Sequence, residues 1–253
     1  MTATSSTRPA AAPALYAVAV TPVLRWFVAH HSTQPGQRWR TRCGCAAPLW
    51  PGACGPAGRC AVCSARIGPV PYLLEATLVL AAATLLVSGR TGWELAAHGW
   101  WATGMAVLAF VDLAVMRLPH RLTAATTIGF LALLAAVGDG AAWWRAVAAG
   151  AVLAAFFAAV AVASRGQLGW GDVALAVPLA AALGWHSATA VYTGCLLGLA
   201  GAAVTALALR MTGRLQRGGH LPLGPFLIAG AGSRPGVAVN HPHRNQSRLP
   251  SRT

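Results

Sequence analysis

Residues 96–115 read AAHGWWATGMAVLAFVDLAV. One carboxylate, Asp112, is the only charged side chain in this run of 20 residues. A helix needs about 20 mostly apolar residues to cross the hydrocarbon core of a bilayer. The run is continuous and does not alternate, so it predicts a membrane helix rather than a barrel strand. Six more runs of the same character flank it: Ala14–Ala29, Val70–Ser88, Leu122–Val137, Trp143–Ala163, Gly171–Trp185 and Ala188–Leu209. An eighth starts at Leu221 and fades by Gly232. The expectation is an all-α polytopic membrane protein with about seven to eight transmembrane helices. The whole chain agrees: 56% of its 253 residues are hydrophobic and only 9% are charged. Soluble domains carry about 25% charged residues.

The charge is lopsided, with 19 basic residues against 5 acidic ones. Every basic residue is Arg. A net charge of +14 suits nucleic acid in a soluble protein. Here the arginines sit between apolar spans, so nucleic acid is not an expected partner; the lipid bilayer is. Counting loops alternately, one side collects Arg38, Arg40, Arg42, Arg59, Arg66, Arg117, Arg121, Arg165, Arg210, Arg214 and Arg217. The other side has Arg90 and Arg145, with Arg8 in the N-terminal tail. The positive-inside rule makes the first side cytoplasmic. This divides the chain into a tail and weak first span (1–30), a cytoplasmic Cys-rich insert (31–69), a membrane domain (70–232) and an Arg- and Pro-rich tail (233–253). Both Pro22 and Arg25 interrupt the first run. A full eighth span would put the basic C-terminal tail outside; a short re-entrant element removes that conflict.

The five acids then separate by depth. Glu94 and Asp139 fall in outer loops, where a solvated carboxylate costs little. Asp112, near the end of the third span, and Asp172, near the start of the sixth, lie at the same cytoplasmic edge, 60 positions apart. Glu75 sits one turn into the second span. Acids inside spans are expensive and mark function by default. The bland alternative pairs Asp112 with Arg117 and Asp172 with Arg165. Asp172 closes the box Gly169-Trp170-Gly171-Asp172 at a helix start, where glycines permit tight turning and the helix N-terminus favours a carboxylate.

The chain resembles the prepilin peptidases, the type IV leader peptidases, which are GxGD membrane aspartyl proteases. Four segments carry the resemblance. Asp112-Leu113 is followed by Leu118-Pro119 and Leu122-Thr123. Gly169 to Asp172 is similar to the family's GxGD box. His220-Leu-Pro-Leu-Gly224-Pro225-Phe226-Leu227 is similar to its late Pro-x-Gly-Pro-Phe motif. Cys60-Ala-Val-Cys63 leads into Pro71-Tyr72-Leu-Leu-Glu75, as a CxxC segment leads into a Tyr-Pro-Leu-Val-Glu-like stretch in the family. The resemblance implies cleavage of the basic leader of prepilins or pseudopilins at the cytoplasmic face of a bacterial plasma membrane. It makes Asp112 and Asp172 the catalytic pair, with Gly169, Gly171, Glu75, Pro119, Gly224 and Pro225 as motif support. Two carboxylates held close share a proton, so one can activate water while the other serves the scissile carbonyl.

Five of the six cysteines lie between Cys43 and Cys63. Such a cluster in a short Arg-rich insert points to a metal site in a reducing compartment. Cys60-x-x-Cys63 has zinc-knuckle spacing. The second pair comes from Cys43, Cys45 and Cys54; the expected set is Cys43, Cys45, Cys60 and Cys63, but Cys43-Gly-Cys45 is one residue short of a standard knuckle, which leaves Cys54 open as a substitute. Four thiolates leave no open position, so the expected zinc is structural. Many family members also N-methylate the new N-terminus with S-adenosylmethionine; the short insert here leaves that activity open. Ala174 stands where the family often has Lys. Two rival readings are a small transporter or channel with an aspartate relay, and an inactive zinc-stapled scaffold for pilus assembly.

Overall fold

The computed structural model describes residues 11–33, 38–115, 118–165 and 169–212. Among them there are seven α-helices and no strand beyond isolated bridges. These are α1 (Ala11–His31), α2 (Leu73–Val87), α3 (Gly92–Val115), α4 (His120–Ala135), α5 (Gly140–Ala163), α6 (Trp170–His186) and α7 (Ala188–Met211). The all-helical expectation is met, and each apolar run becomes one helix. The span count is coarser. Three helices, α3, α5 and α7, are long and apolar enough to cross a membrane by length and composition. At 24 residues each they reach about 36 Å. α2 and α4 are apolar but shorter, at 15 and 16 residues. The eighth run and the basic tail lie outside the described residues.

The outward faces suit lipid rather than water. α5 exposes Val152, Phe156 and Val162, and α7 exposes Leu196, Leu197, Val204 and Leu207. Contiguous apolar surface on this scale would drive association in a soluble protein. Helices have no hydrophobic driving force to join inside lipid, so close packing through small residues takes its place. The tightest partnership, α5 with α6, shows it. A Cβ on Gly184 would meet the Ala149 Cβ at 2.5 Å and the Arg145 carbonyl at 3.1 Å. One on Gly150 would meet the Val177 carbonyl at 3.1 Å.

Two cores bear on the site. In one, Val28 of α1 and Leu74 and Leu78 of α2 pack on Phe110 and Val111 of α3. In the other, Met105 and Leu108 of α3 join Leu118, Phe157 of α5, and Leu175, Ala176 and Leu179 of α6. α3 also reaches α6 through Trp101, whose indole N–H donates to the Pro178 carbonyl at 2.9 Å.

At the opposite end of the bundle one expectation is corrected. Glu94 is not a loop carboxylate in water. It lies in the first turn of α3, ion-pairs with Arg90 at 3.3 Å and accepts the Trp185 indole N–H at 3.3 Å. The helix begins four residues before the apolar run, and of these residues Glu94 is tied to α6 through the Trp185 indole. Asp139 is also engaged, as the N-cap of α5, where its side chain accepts the Ala142 N–H at 2.9 Å. That is the ordinary way to satisfy a helix's first free amides.

Candidate active site and metal cluster

Asp112 and Asp172 are brought together by the folding-back of the chain between them. α3 carries Asp112 in its last turn, buried at 5% exposure, inside the apolar core built around Phe110 and Val111. Leu118 and Pro119 then break the helix. Pro119, with extended φ and ψ of −66° and 114°, caps α4. Leu118 is pressed against the start of α6: a Cβ on Gly171 would meet the Leu118 Cβ at 3.1 Å. Gly171 is therefore required at that position for a close approach, not for a special backbone angle. The contact draws the N-terminus of α6 to the C-terminal end of α3, and Asp172 lies within electrostatic reach of the Asp112 carboxylate.

The spacing of the Gly169–Asp172 box has a physical reason. Gly169 is the N-cap of α6, and Asp172 occupies the third helical position. From there its carboxylate reaches back to the Gly169 backbone N–H. This is half of a capping box, which satisfies an amide the helix itself cannot. Asp172 is thus oriented by its own helix. Asp112 differs: its Oδ2 is buried and, among the described residues, has no hydrogen-bond partner. Buried polar atoms are nearly always paired, so a carboxylate oxygen left without a partner near a second acid is a candidate place for a water or substrate group. Arg165 makes no ion pair with Asp172 among the described residues. Arg117, the other candidate partner, lies outside them.

Glu75 is placed elsewhere. Its two oxygens take the Arg25 guanidinium in a two-pronged pair, with Nε–Oε1 at 2.6 Å and Nη2–Oε2 at 2.7 Å. Arg25 also donates to the Pro69 and Val70 carbonyls at 3.4 and 3.5 Å. Glu75 supports the architecture of α1, α2 and the insert, not the aspartate pair. The sequence held a signal for this. Arg25 is the one cation in the first apolar run and Glu75 the one anion in the second. Gly224 and Pro225 lie outside the described residues.

The insert gathers Cys43, Cys45, Cys60 and Cys63, with all four sulfurs within 4.8 Å of one another. The Cys43–Cys63 and Cys45–Cys60 Sγ separations are both 3.6 Å. Thiolates about 2.3 Å from a tetrahedral zinc sit about 3.8 Å apart, so the geometry fits a metal. Cys54 is not in this group. The short Cys43-Gly-Cys45 half works because both halves turn alike. Cys43 N–H bonds the Ala47 carbonyl, Cys60 N–H bonds the Ala65 carbonyl, and each turn is completed by a left-handed residue, Ala46 (φ 66°) or Ser64 (φ 57°). The Cys63 and Val62 backbone amides point at the Cys60 sulfur and bring its thiol pKa down to about 6. At Cys63 the Ala65 amide acts in the same sense, but hydrogen bonds shared with Cys45 and Cys43 win and push the thiol up to about 12.

An all-helical membrane protein with a two-aspartate centre at one end of its bundle and a four-thiol knuckle in its insert is the class that fold and site define. Residues 100–209, which contain both aspartates, match the type IV leader peptidase family. The prepilin leader peptidase/N-methyltransferases of Burkholderia pseudomallei strains 1026b and K96243 are each 34% identical to it over 180 residues, or 68% of this chain. The chain spans 56% of the length of these curated relatives. No solved structure matches it. Residues 100–209 place this part of the chain in the type IV leader peptidase family.

Proposed function

We propose that this protein is a membrane aspartyl endopeptidase that removes the basic leader from type IV prepilins or related pseudopilins. The reading rests above all on the buried Oδ2 of Asp112, which has no hydrogen-bond partner among the described residues and lies within electrostatic reach of Asp172 across the α3–α6 contact. Two interacting acids at one site keep one proton between them. The ionised partner takes a proton from a water, whose oxygen attacks the scissile carbonyl; the protonated partner hydrogen-bonds the carbonyl oxygen and then supplies the leaving amine. The water's elements end on the two new termini, and the acid pair regains its single proton. The arginine distribution supports placing the site at the cytoplasmic edge of the membrane, and the family resemblance supports a bacterial plasma membrane. An apolar prepilin helix can then arrive through the bilayer with its basic leader in the cytoplasm.

The four cysteines suit a structural zinc, held in a separate insert (31–69) beside the peptidase domain (70–232). Cys43, Cys45, Cys60 and Cys63 would hold the ion, which would cross-link two turns that have little core of their own. The aspartate chemistry does not run through it.

Co-expression with a candidate prepilin tests the reading. The native chain should shorten the prepilin by its leader, while Asp112→Asn and Asp172→Asn each abolish cleavage with the protein still inserted. Normal processing by either variant would sink it. The mass of the mature pilin N-terminus also shows whether a methyl group from S-adenosylmethionine has been added.

A further inference from the structure

We infer that the cytoplasmic end of α1 and the first part of the insert form a docking face for the headgroup layer of an anionic lipid bilayer. This stands independently of what the aspartates cleave. The face grades in polarity as a bilayer does with depth. The exposed side of α1 is first aliphatic, through Leu15, Val18 and Val23. One turn on it becomes an aromatic ladder. Trp26 meets Trp50 edge-on at 6.4 Å and stacks on His30 at 4.9 Å, and His30 stacks on Trp39 at 5.7 Å. Trp50 and Trp39 are left 54% and 43% exposed. That is a wasteful arrangement in water and a normal one at a membrane interface, where the ring sits among acyl chains and the indole N–H finds a polar partner.

The arginines come next along the same face. The 38–42 segment is fastened to the end of α1 by two hydrogen bonds, Arg40 N–H to the His30 carbonyl at 3.1 Å and His30 Nδ1 to the Arg40 carbonyl at 2.9 Å. This sets exposed Arg38 and Arg42 beside the ladder. The insert carries five arginines, Arg38, Arg40, Arg42, Arg59 and Arg66, and no acid occurs between His31 and Glu75. Guanidinium groups next to interfacial tryptophans match lipid phosphates in charge and geometry. The aliphatic side of α1 leading into the face favours a bilayer over nucleic acid, which has no use for it.

The test uses the full chain in nanodiscs of phosphatidylcholine, alone or mixed with phosphatidylglycerol. Anionic lipid should slow amide exchange across residues 38–50 and increase quenching of Trp39 and Trp50 by brominated lipid, identified by difference against Trp39→Phe and Trp50→Phe. Salt should reverse both effects. In Arg38→Gln/Arg42→Gln the preference for phosphatidylglycerol should fall about fivefold per arginine. Identical exchange and quenching in the two lipid compositions would overturn the inference, as would RNA retained on this face in competition with phosphatidylglycerol. If the double variant loses protection at Cys43–Ala47, its insert has unfolded, and the comparison of lipid compositions with the native chain decides.

Discussion

Replacing Glu75 by Gln removes the anion from a two-pronged ion pair while keeping the side chain's size. The side chain of Arg25 is 0% exposed and that of Glu75 24%. The two losses are therefore unequal. Among the described residues, the other acceptors of the buried guanidinium are the Pro69 and Val70 carbonyls, at 3.4 and 3.5 Å. Breaking a buried pair from one side costs about 3–5 kcal/mol, because a charge is left without compensation. Glu75→Gln should fall near the lower end, about 3 kcal/mol, since the amide oxygen can still accept one bond. Arg25→Met leaves a carboxylate that reaches solvent and should cost less, about 2 kcal/mol. The double variant removes both charges and should cost less than the sum, giving a coupling energy of about 2 kcal/mol. Reversible unfolding in mixed micelles, followed by helical circular dichroism, measures all four corners of the cycle. Additive losses, or Glu75→Gln within about 0.5 kcal/mol of the native chain, would refute the claim that this pair joins α1 to α2 and the insert.

The two aspartates should differ in stability even where both variants are inactive: Asp112→Asn, which replaces a buried carboxyl that has no hydrogen-bond partner for one oxygen among the described residues, should be less destabilising than Asp172→Ala, which also loses the Gly169 cap, by about 1 kcal/mol in the same unfolding assay. In chelated protein, ultraviolet thiolate absorbance should show one cysteine titrating near pH 6, and Cys60→Ser should remove that step. Because the folded Cys60 thiol lies below its ordinary value of 9.0, its stabilising contribution is complete above that value, declines as pH falls and is gone below about 6. Metal analysis of the purified chain should find zinc retained in Cys54→Ser and lost in Cys60→Ser. Gly184→Val should separate α5 from α6 and cost about 2 kcal/mol or more, since backbone and Ala149 leave no room to yield; unchanged stability would mean that the two helices do not pack as closely as described.

Much of this was legible in the chain because a membrane protein has so few charges to distribute. An acid inside an apolar run is conspicuous, and Asp112, Asp172 and Glu75 stood out for that reason. The knuckle spacing of Cys60 and Cys63 was equally local. What could not be read was which opposite charge would meet which acid. Arg25 and Glu75 are 50 positions apart, and only the packing of Val28 against Leu74 and Leu78 brings their helices side by side. Glu94 was misplaced for a similar reason: its partners, Arg90 and Trp185, meet only where the ends of α3 and α6 adjoin. Cys45 over Cys54 was likewise undecidable from spacing, because the shortened turn works through a left-handed Ala46, a conformation alanine rarely takes.

Hydrophobic periodicity and charge scarcity are properties of local sequence, and they determined the helices, the membrane environment and the three acids worth asking about. Tertiary structure decided their division of labour. It put Asp112 and Asp172 at one junction, where Leu118 needs the missing Cβ of Gly171, and it gave Glu75 to Arg25. A carboxylate's role depends on what lies within a few ångströms of it, and across spans that distance is set by helix packing rather than by position in the chain.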